Sequence, residues 1–144
     1  MKIDRRKVVV MGASLAATSL LPVNLMAQSD SQKTAEEIIQ EFTGGAEIGS
    51  GNLMLTTPEI AENGNTVPIS VSAPGAVSIM LLAAGNPVPA VATFNFGPLS
   101  AARSGSTRIR LAKSQDVIAV AKMEDGTFQT AQATVKVTIG GCGG

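Results

Sequence analysis

The chain has 144 residues with 11 basic and 11 acidic side chains, and its 44% hydrophobic content suits one packed domain with a short extra segment rather than a disordered chain. Four phenylalanines are its only aromatic residues, so with a balanced charge it offers neither a cationic footprint nor a base-stacking surface for nucleic acid. Histidine, tyrosine and tryptophan are absent and Cys142 is the sole cysteine. That excludes a Cys/His dyad, a CxxC pair, an internal disulfide and a Cys/His metal site built by this chain alone, so no metal and no cofactor is expected.

Residues 1–27 read as a removable signal peptide. Lys2, Arg5, Arg6 and Lys7 precede a moderately apolar run from Val8 to Leu21, and Leu25, Met26 and Ala27 form a small-residue cleavage site. The run is about 14 residues, short of the roughly 20 that span a bilayer. Arg5-Arg6 beside an apolar region diluted by Gly12, Ala13, Ser14 and Thr18 resembles a twin-arginine signal. Asp4 stands where Ser or Thr is usual in that motif, and Val8-Val9 replaces Phe-Leu. Cleavage leaves 7 basic and 10 acidic residues, a net charge of −3, which favours neither nucleic acid nor an anionic membrane surface.

Residues 28–49 are expected to hold a short helix and a linker. In TAEEIIQEFTGG, Thr34 serves as N-cap with Glu37 closing a capping box, and Gly44-Gly45 stops the helix. Ala35, Ile38, Ile39 and Phe42 recur at helical spacing as one apolar stripe that lies across the main body.

From residue 50 to 139 the pattern becomes short apolar or alternating runs divided by turn residues. Seven strands are predicted: residues 52–57, 66–72, 76–83, 91–96, 107–112, 116–123 and 128–139. Ile109 and Leu111 share one face, with Arg108 and Arg110 on the other; with Arg103, these arginines read as a solvated face. In the last strand Ala133, Val135, Val137 and Ile139 oppose Gln132, Thr134, Lys136 and Thr138. Pro68 implies an edge position or a bulge, because proline cannot donate to a ladder. The expected fold class is all-β, an immunoglobulin-like antiparallel β-sandwich of about seven strands with a short N-terminal helix and a flexible C-terminal tail, although the Cys, Trp and Tyr hallmarks of antibody domains are missing.

Residues 140–144 read as an arm. Cys142 sits between Gly140-Gly141 and Gly143-Gly144, three residues past Ile139, within a backbone reach of roughly 10 Å. Glycines make the arm thin and conformationally free, so the thiol can enter a narrow site on another protein but is poorly held by its own fold. An ordinary thiol has a pKa of about 8.5 and is mostly protonated at neutral pH. Lowering it takes a helix N-terminus, a metal, a neighbouring cation or a second thiol. The nearest cation along the last strand is Lys136, and no motif places a base beside the sulfur. The sequence therefore points to a thiol activated in a partner's active site, with no catalytic residue of its own.

The terminal VKVTIGGCGG, together with PEIAENGNTVPISV, GNPVPAVATFNFGP and STRIRLAKSQDVIAVAKMEDGTF, resembles the SoxY family, the sulfur-carrying subunits of the periplasmic thiosulfate-oxidising system. The resemblance spans roughly residues 58–144. It implies that Cys142 is the covalent sulfur-carrying residue, that Gly140, Gly141, Gly143 and Gly144 form its arm, and that the protein is periplasmic. It further implies a heterodimer with a SoxZ-like subunit. A c-type haem enzyme would join thiosulfate to the cysteine, a dimanganese hydrolase would release sulfate, and a sulfane-oxidising enzyme would act on what remains. Haem and manganese would belong to those partners, and the chain itself would be a substrate carrier rather than an enzyme. The connector Ala73-Pro74-Gly75-Ala76 is shorter and less charged than the acidic loop expected from the resemblance. A different class of function is an exported structural or interaction module that uses Cys142 for an intermolecular disulfide.

Overall fold

The computed structural model describes residues 32–138. The expected signal peptide, the glycine arm and Cys142 lie outside them.

The helix forms as its pattern requires. α1 (Ala35–Thr43) starts at Thr34, whose hydroxyl accepts from the Glu37 N–H while the Glu37 carboxylate accepts from the Thr34 N–H, and it ends at Gly44 with φ 64°. Lys33 reaches over the first turns to pair with Glu41 at 2.8 Å.

Among the described residues nine strands follow: β1 (Ile48–Gly49), β2 (Met54–Thr56), β3 (Ile60–Ala61), β4 (Val67–Ser72), β5 (Ala76–Ala83), β6 (Ala90–Asn95), β7 (Ser104–Ile109), β8 (Gln115–Met123) and β9 (Phe128–Val137). They form two sheets. The larger runs β1-β9-β8-β5-β6, with β3 also pairing β9; the smaller runs β2-β4-β7. The sandwich expectation holds, with two corrections. Nine strands replace about seven, because two-residue strands β1 and β3 carry no periodicity that a sequence could display. Both of them pair with β9 in parallel, so the larger sheet is mixed rather than wholly antiparallel. Ile48 and Gly49, expected in a linker, thus join the sheet.

The core lies between the sheets. Val67, Ile69 and Val71 of β4 face Ile79, Leu81 and Ala83 of β5 and Val117, Ala119 and Ala121 of β8, all fully or almost fully buried. The alternate side chains of β5, β8 and β9 make a second cluster on the outer face of the larger sheet. There Met80, Leu82, Val120 and Phe128 are covered by Ala35, Ile38, Ile39 and Phe42 of the helix. β5 reads AVSIMLLA without alternation because both of its faces are covered.

β7 begins three residues before the predicted strand. SGS reads as a turn in sequence, yet it pairs with β4 from Ser72↔Ser104 to Val67↔Ile109. Gly105 is required at that place because a Cβ there would lie 2.6 Å from the Phe94 ring. Ile109 and Leu111 are buried and Arg108 and Arg110 exposed, as expected. Pro68 sits in the middle strand of its sheet, but β2 flanks β4 only from Ser70 to Ser72, so the proline meets β7 alone and occupies a local edge.

Candidate functional site

The sole cysteine, expected from the sequence to be the sulfur-carrying residue, follows β9 in the chain, so the geometry that matters is how the end of that strand is held. Three segments converge on it. From β3 and the residue before it, the Glu59 carbonyl accepts from the Lys136 N–H at 2.9 Å and the Ala61 carbonyl accepts from the Thr138 N–H at 3.0 Å; the Thr138 hydroxyl also donates to Ala61 O at 3.4 Å. From the turn before β8, the Ser114 hydroxyl accepts from the Val137 N–H at 2.8 Å. From the turn before β4, Gly64 packs so closely that a Cβ would lie 2.6 Å from the Leu111 carbonyl oxygen and 2.9 Å from Val137 Cγ1. The Leu111 N–H donates to Gly64 O at 2.7 Å, which locks that turn in place. Asn63 adds an Asx turn, its side-chain oxygen accepting from the Asn65 N–H.

The chain is therefore fixed up to Thr138. Cys142 and Gly140, Gly141, Gly143 and Gly144 lie outside the described residues. Cys142 is four positions past that fixed point, a span of at most about 14 Å of chain. Sequence reasoning missed the clamp itself. Its one legible sign was Gly64 inside the turn Glu62–Asn65, where only a residue without a side chain can pass under the Leu111 carbonyl.

Next to the clamp, Pro58, Ile60, Ala61, Glu62, Thr66 and Pro68 line a shallow groove, with Ile60 more than half exposed. Among the described residues no group of three His, Cys, Asp or Glu side chains is placed to hold a metal ion.

The three arginines separate. Arg108 and Arg110 stand on the surface, as a solvated face requires. Arg103 does not: its guanidinium donates to the Gly97 carbonyl at 2.9 Å and pairs with Glu124 at 2.9 Å, and its side chain is only 15% exposed. It fastens the β6–β7 loop to the β8–β9 turn. A single sequence could not separate it from the other two, because its partners are 6 and 21 residues away.

The family model of sulfur oxidation protein SoxY matches residues 39–142. This chain belongs to the SoxY family. The match runs from within α1, through every strand and the clamp, to Cys142. A solved SoxY, described as the sulfur carrier protein from Chlorobium limicola f thiosulfatophilum, is 34% identical; the alignment covers 72% of this chain and 96% of that one, with a TM-score of 0.64. The superoxide reductase (neelaredoxin) from Ignicoccus hospitalis is 20% identical over 73% of this chain and 94% of its own, with a TM-score of 0.54. A putative superoxide reductase from Thermotoga maritima is 15% identical over 63% and 94%, with a TM-score of 0.53. These two likenesses establish a shared sandwich fold and nothing of chemistry. No curated protein matches the chain.

Proposed function

We propose that this SoxY-family chain is a periplasmic sulfur carrier that holds thiosulfate-derived sulfur covalently on Cys142 and presents it to successive partner enzymes. One observation carries the reading: the family match extends to Cys142, the sole thiol, and a 34% identical relative is itself described as a sulfur carrier.

The chemistry assigns each step to a partner. Loading is an oxidation, Cys–SH + S2O3²⁻ → Cys–S–S–SO3⁻ + H⁺ + 2e⁻, with the electrons accepted by a c-type haem enzyme. Hydrolysis by a dimanganese enzyme then gives Cys–S–SH + SO4²⁻ + H⁺, and the remaining sulfane sulfur passes to a sulfane-oxidising enzyme. A carrier suits this sequence because the thiol must enter several different sites, each supplying its own activating groups. The glycines on either side of Cys142 keep bulk away from the sulfur, and the clamp at Thr138 gives the arm a fixed origin. A SoxZ-like subunit completes the carrier. Residues 1–27 direct export, and the twin-arginine route suits it because that pathway moves chains already folded, together with a bound partner.

Intact-mass measurement of protein isolated from thiosulfate-grown cells tests this. Sulfur and thiosulfonate adducts are expected on the wild type and absent from Cys142→Ser. A stable disulfide-linked dimer on non-reducing gels, with no sulfur adduct in any growth condition, would instead establish the structural or interaction module.

A further inference from the structure

Six asparagines occur in the chain, and Asn63 is the one followed by glycine. That pair is reactive for a general reason. Without a side chain on the next residue, its backbone nitrogen can reach the asparagine side-chain amide and close a five-membered succinimide ring, which bulky or branched successors obstruct. Leu25, Leu53, Thr66 and Phe96 follow four of the other asparagines, and Pro87, which has no N–H, follows Asn86. The comparable pair Asp125-Gly126 carries a carboxylate instead of an amide, and with two bonds from Thr127 keeping it ionised it is a poor target for a nucleophile.

Asn63 is exposed to water, but its turn is pinned. Its Oδ1 accepts from the Asn65 N–H at 3.0 Å and its carbonyl accepts from the Thr66 N–H at 3.4 Å. Gly64 O accepts from the Leu111 N–H at 2.7 Å, and the space around Gly64 is so tight that a Cβ would lie 2.6 Å from Leu111 O and 2.9 Å from Val137 Cγ1. Closing the ring turns the peptide between Asn63 and Gly64 about the Asn63 Cα–C bond until the nitrogen meets Cγ, and Gly64 is carried with it. Gly64 has no room for that displacement while Leu111 and Val137 stay where they are. Val137 is held in turn by Ser114, whose hydroxyl accepts from the Val137 N–H at 2.8 Å and donates to Val137 O at 3.4 Å.

We infer that Asn63 is a modification site, a deamidating asparagine whose reaction waits for the clamp on β9 to open and then keeps it from closing again. The Gly64 nitrogen bonds to Asn63 Cγ, the Cγ–Nδ2 bond breaks, and ammonia leaves with the Gly64 amide proton; water then opens the imide at either carbonyl, with no change of oxidation state. Opening at Cγ gives aspartate. Opening at the main-chain carbonyl gives isoaspartate, in which the backbone runs through Cβ and Cγ and is one carbon longer. That extra length falls beside the residue with no room to shift, so the isoaspartate turn no longer fits beneath the Leu111 carbonyl. Either product also sets a new carboxylate next to Glu62 at the rim of the groove that both residues line. This chemistry is independent of the carrier reading, because every group it uses lies between Glu62 and Val137.

Peptide mapping by mass spectrometry decides it, after the purified protein has been incubated in mildly alkaline buffer with and without guanidinium chloride. Deamidation at Asn63 is expected to run at least about tenfold more slowly in the folded protein than in the denatured chain, because it proceeds only through local opening. Ser114→Ala removes both bonds to Val137 at an exposed position, and is expected to speed the folded-state reaction severalfold without altering the rate in denaturant. In the isolated isoaspartate product, hydrogen exchange at the Leu111 and Val137 amides is expected to be at least about tenfold faster than in the unmodified protein, with the β5 amides unchanged. Equal rates in folded and denatured protein, a Ser114→Ala rate equal to the parent's, or an isoaspartate product that keeps its Leu111 protection would overturn the inference.

Discussion

At the scale of single residues, the structure gives several side chains purposes that their type alone did not disclose. Gly64 and Gly105 are both fixed by close approach rather than by backbone conformation: one passes beneath the Leu111 carbonyl, the other beneath the Phe94 ring. Arg103 is a brace, whereas Arg108 and Arg110 are solvated. Asp125 shows the same economy in a turn. The Thr127 hydroxyl donates to its carboxylate at 2.6 Å and the Thr127 N–H at 2.9 Å, and these two bonds hold the Asp125 pKa below the ordinary aspartate value. A carboxylate with a depressed folded pKa stabilises the native state above its unfolded pKa and loses that contribution as pH falls through the folded one. The β8–β9 turn is therefore expected to loosen only in strong acid. An NMR titration of the Asp125 carboxyl should give a midpoint below 3.8 in the wild type and a higher one in Thr127→Ala.

At the scale of elements, the helix and β5 depend on each other. α1 has nine residues, shorter than an isolated helix needs to be stable in water, so most of its stability comes from packing on the larger sheet. In return it covers Met80, Leu82, Val120 and Phe128, and Phe42 meets the Phe128 ring edge-on with centroids 5.9 Å apart. Leu82 is fully buried in this contact. Leu82→Ala is expected to cost about 3 kcal/mol and to lower the melting temperature by on the order of 10 °C, measured by calorimetry. Sequence reasoning located β5 to the residue and β4, β6 and β8 to within one residue at each end, because their apolar patterns extend over six to nine residues. β7 was displaced because its glycine and serines answer to Phe94 and β4 rather than to a local turn. β1 and β3 were invisible because two residues have no period.

At the scale of the whole molecule, the two apolar clusters share strands. β5 sends Ile79 and Leu81 into the sandwich and Met80 and Leu82 toward the helix, and β8 does likewise with Val117 and Ala119 on one side and Ile118 and Val120 on the other. Neither cluster can be lost while those strands stay folded. Helix and sandwich are thus expected to unfold in one transition, with hydrogen exchange of the α1 amides and of the β8 amides falling together when Leu82→Ala is introduced. Two independent transitions would show that the helix is merely appended. In the carrier reading proposed above, a body expected to unfold as a unit, with β9 clamped through Thr138, is the base from which Cys142 would be offered to partner enzymes.

The sequence by itself determined the helix with its caps, the long strands and their inward faces, the thiol and the resemblance that gives it meaning, because each is written in local spacing or in a contiguous motif. Only the tertiary structure decided the order of the strands, the parallel pairing of β1 and β3 with β9, the clamp at Thr138 and the brace made by Arg103. Those features join residues far apart in the chain, and a linear pattern records what a segment can bury without recording which segment will come to cover it.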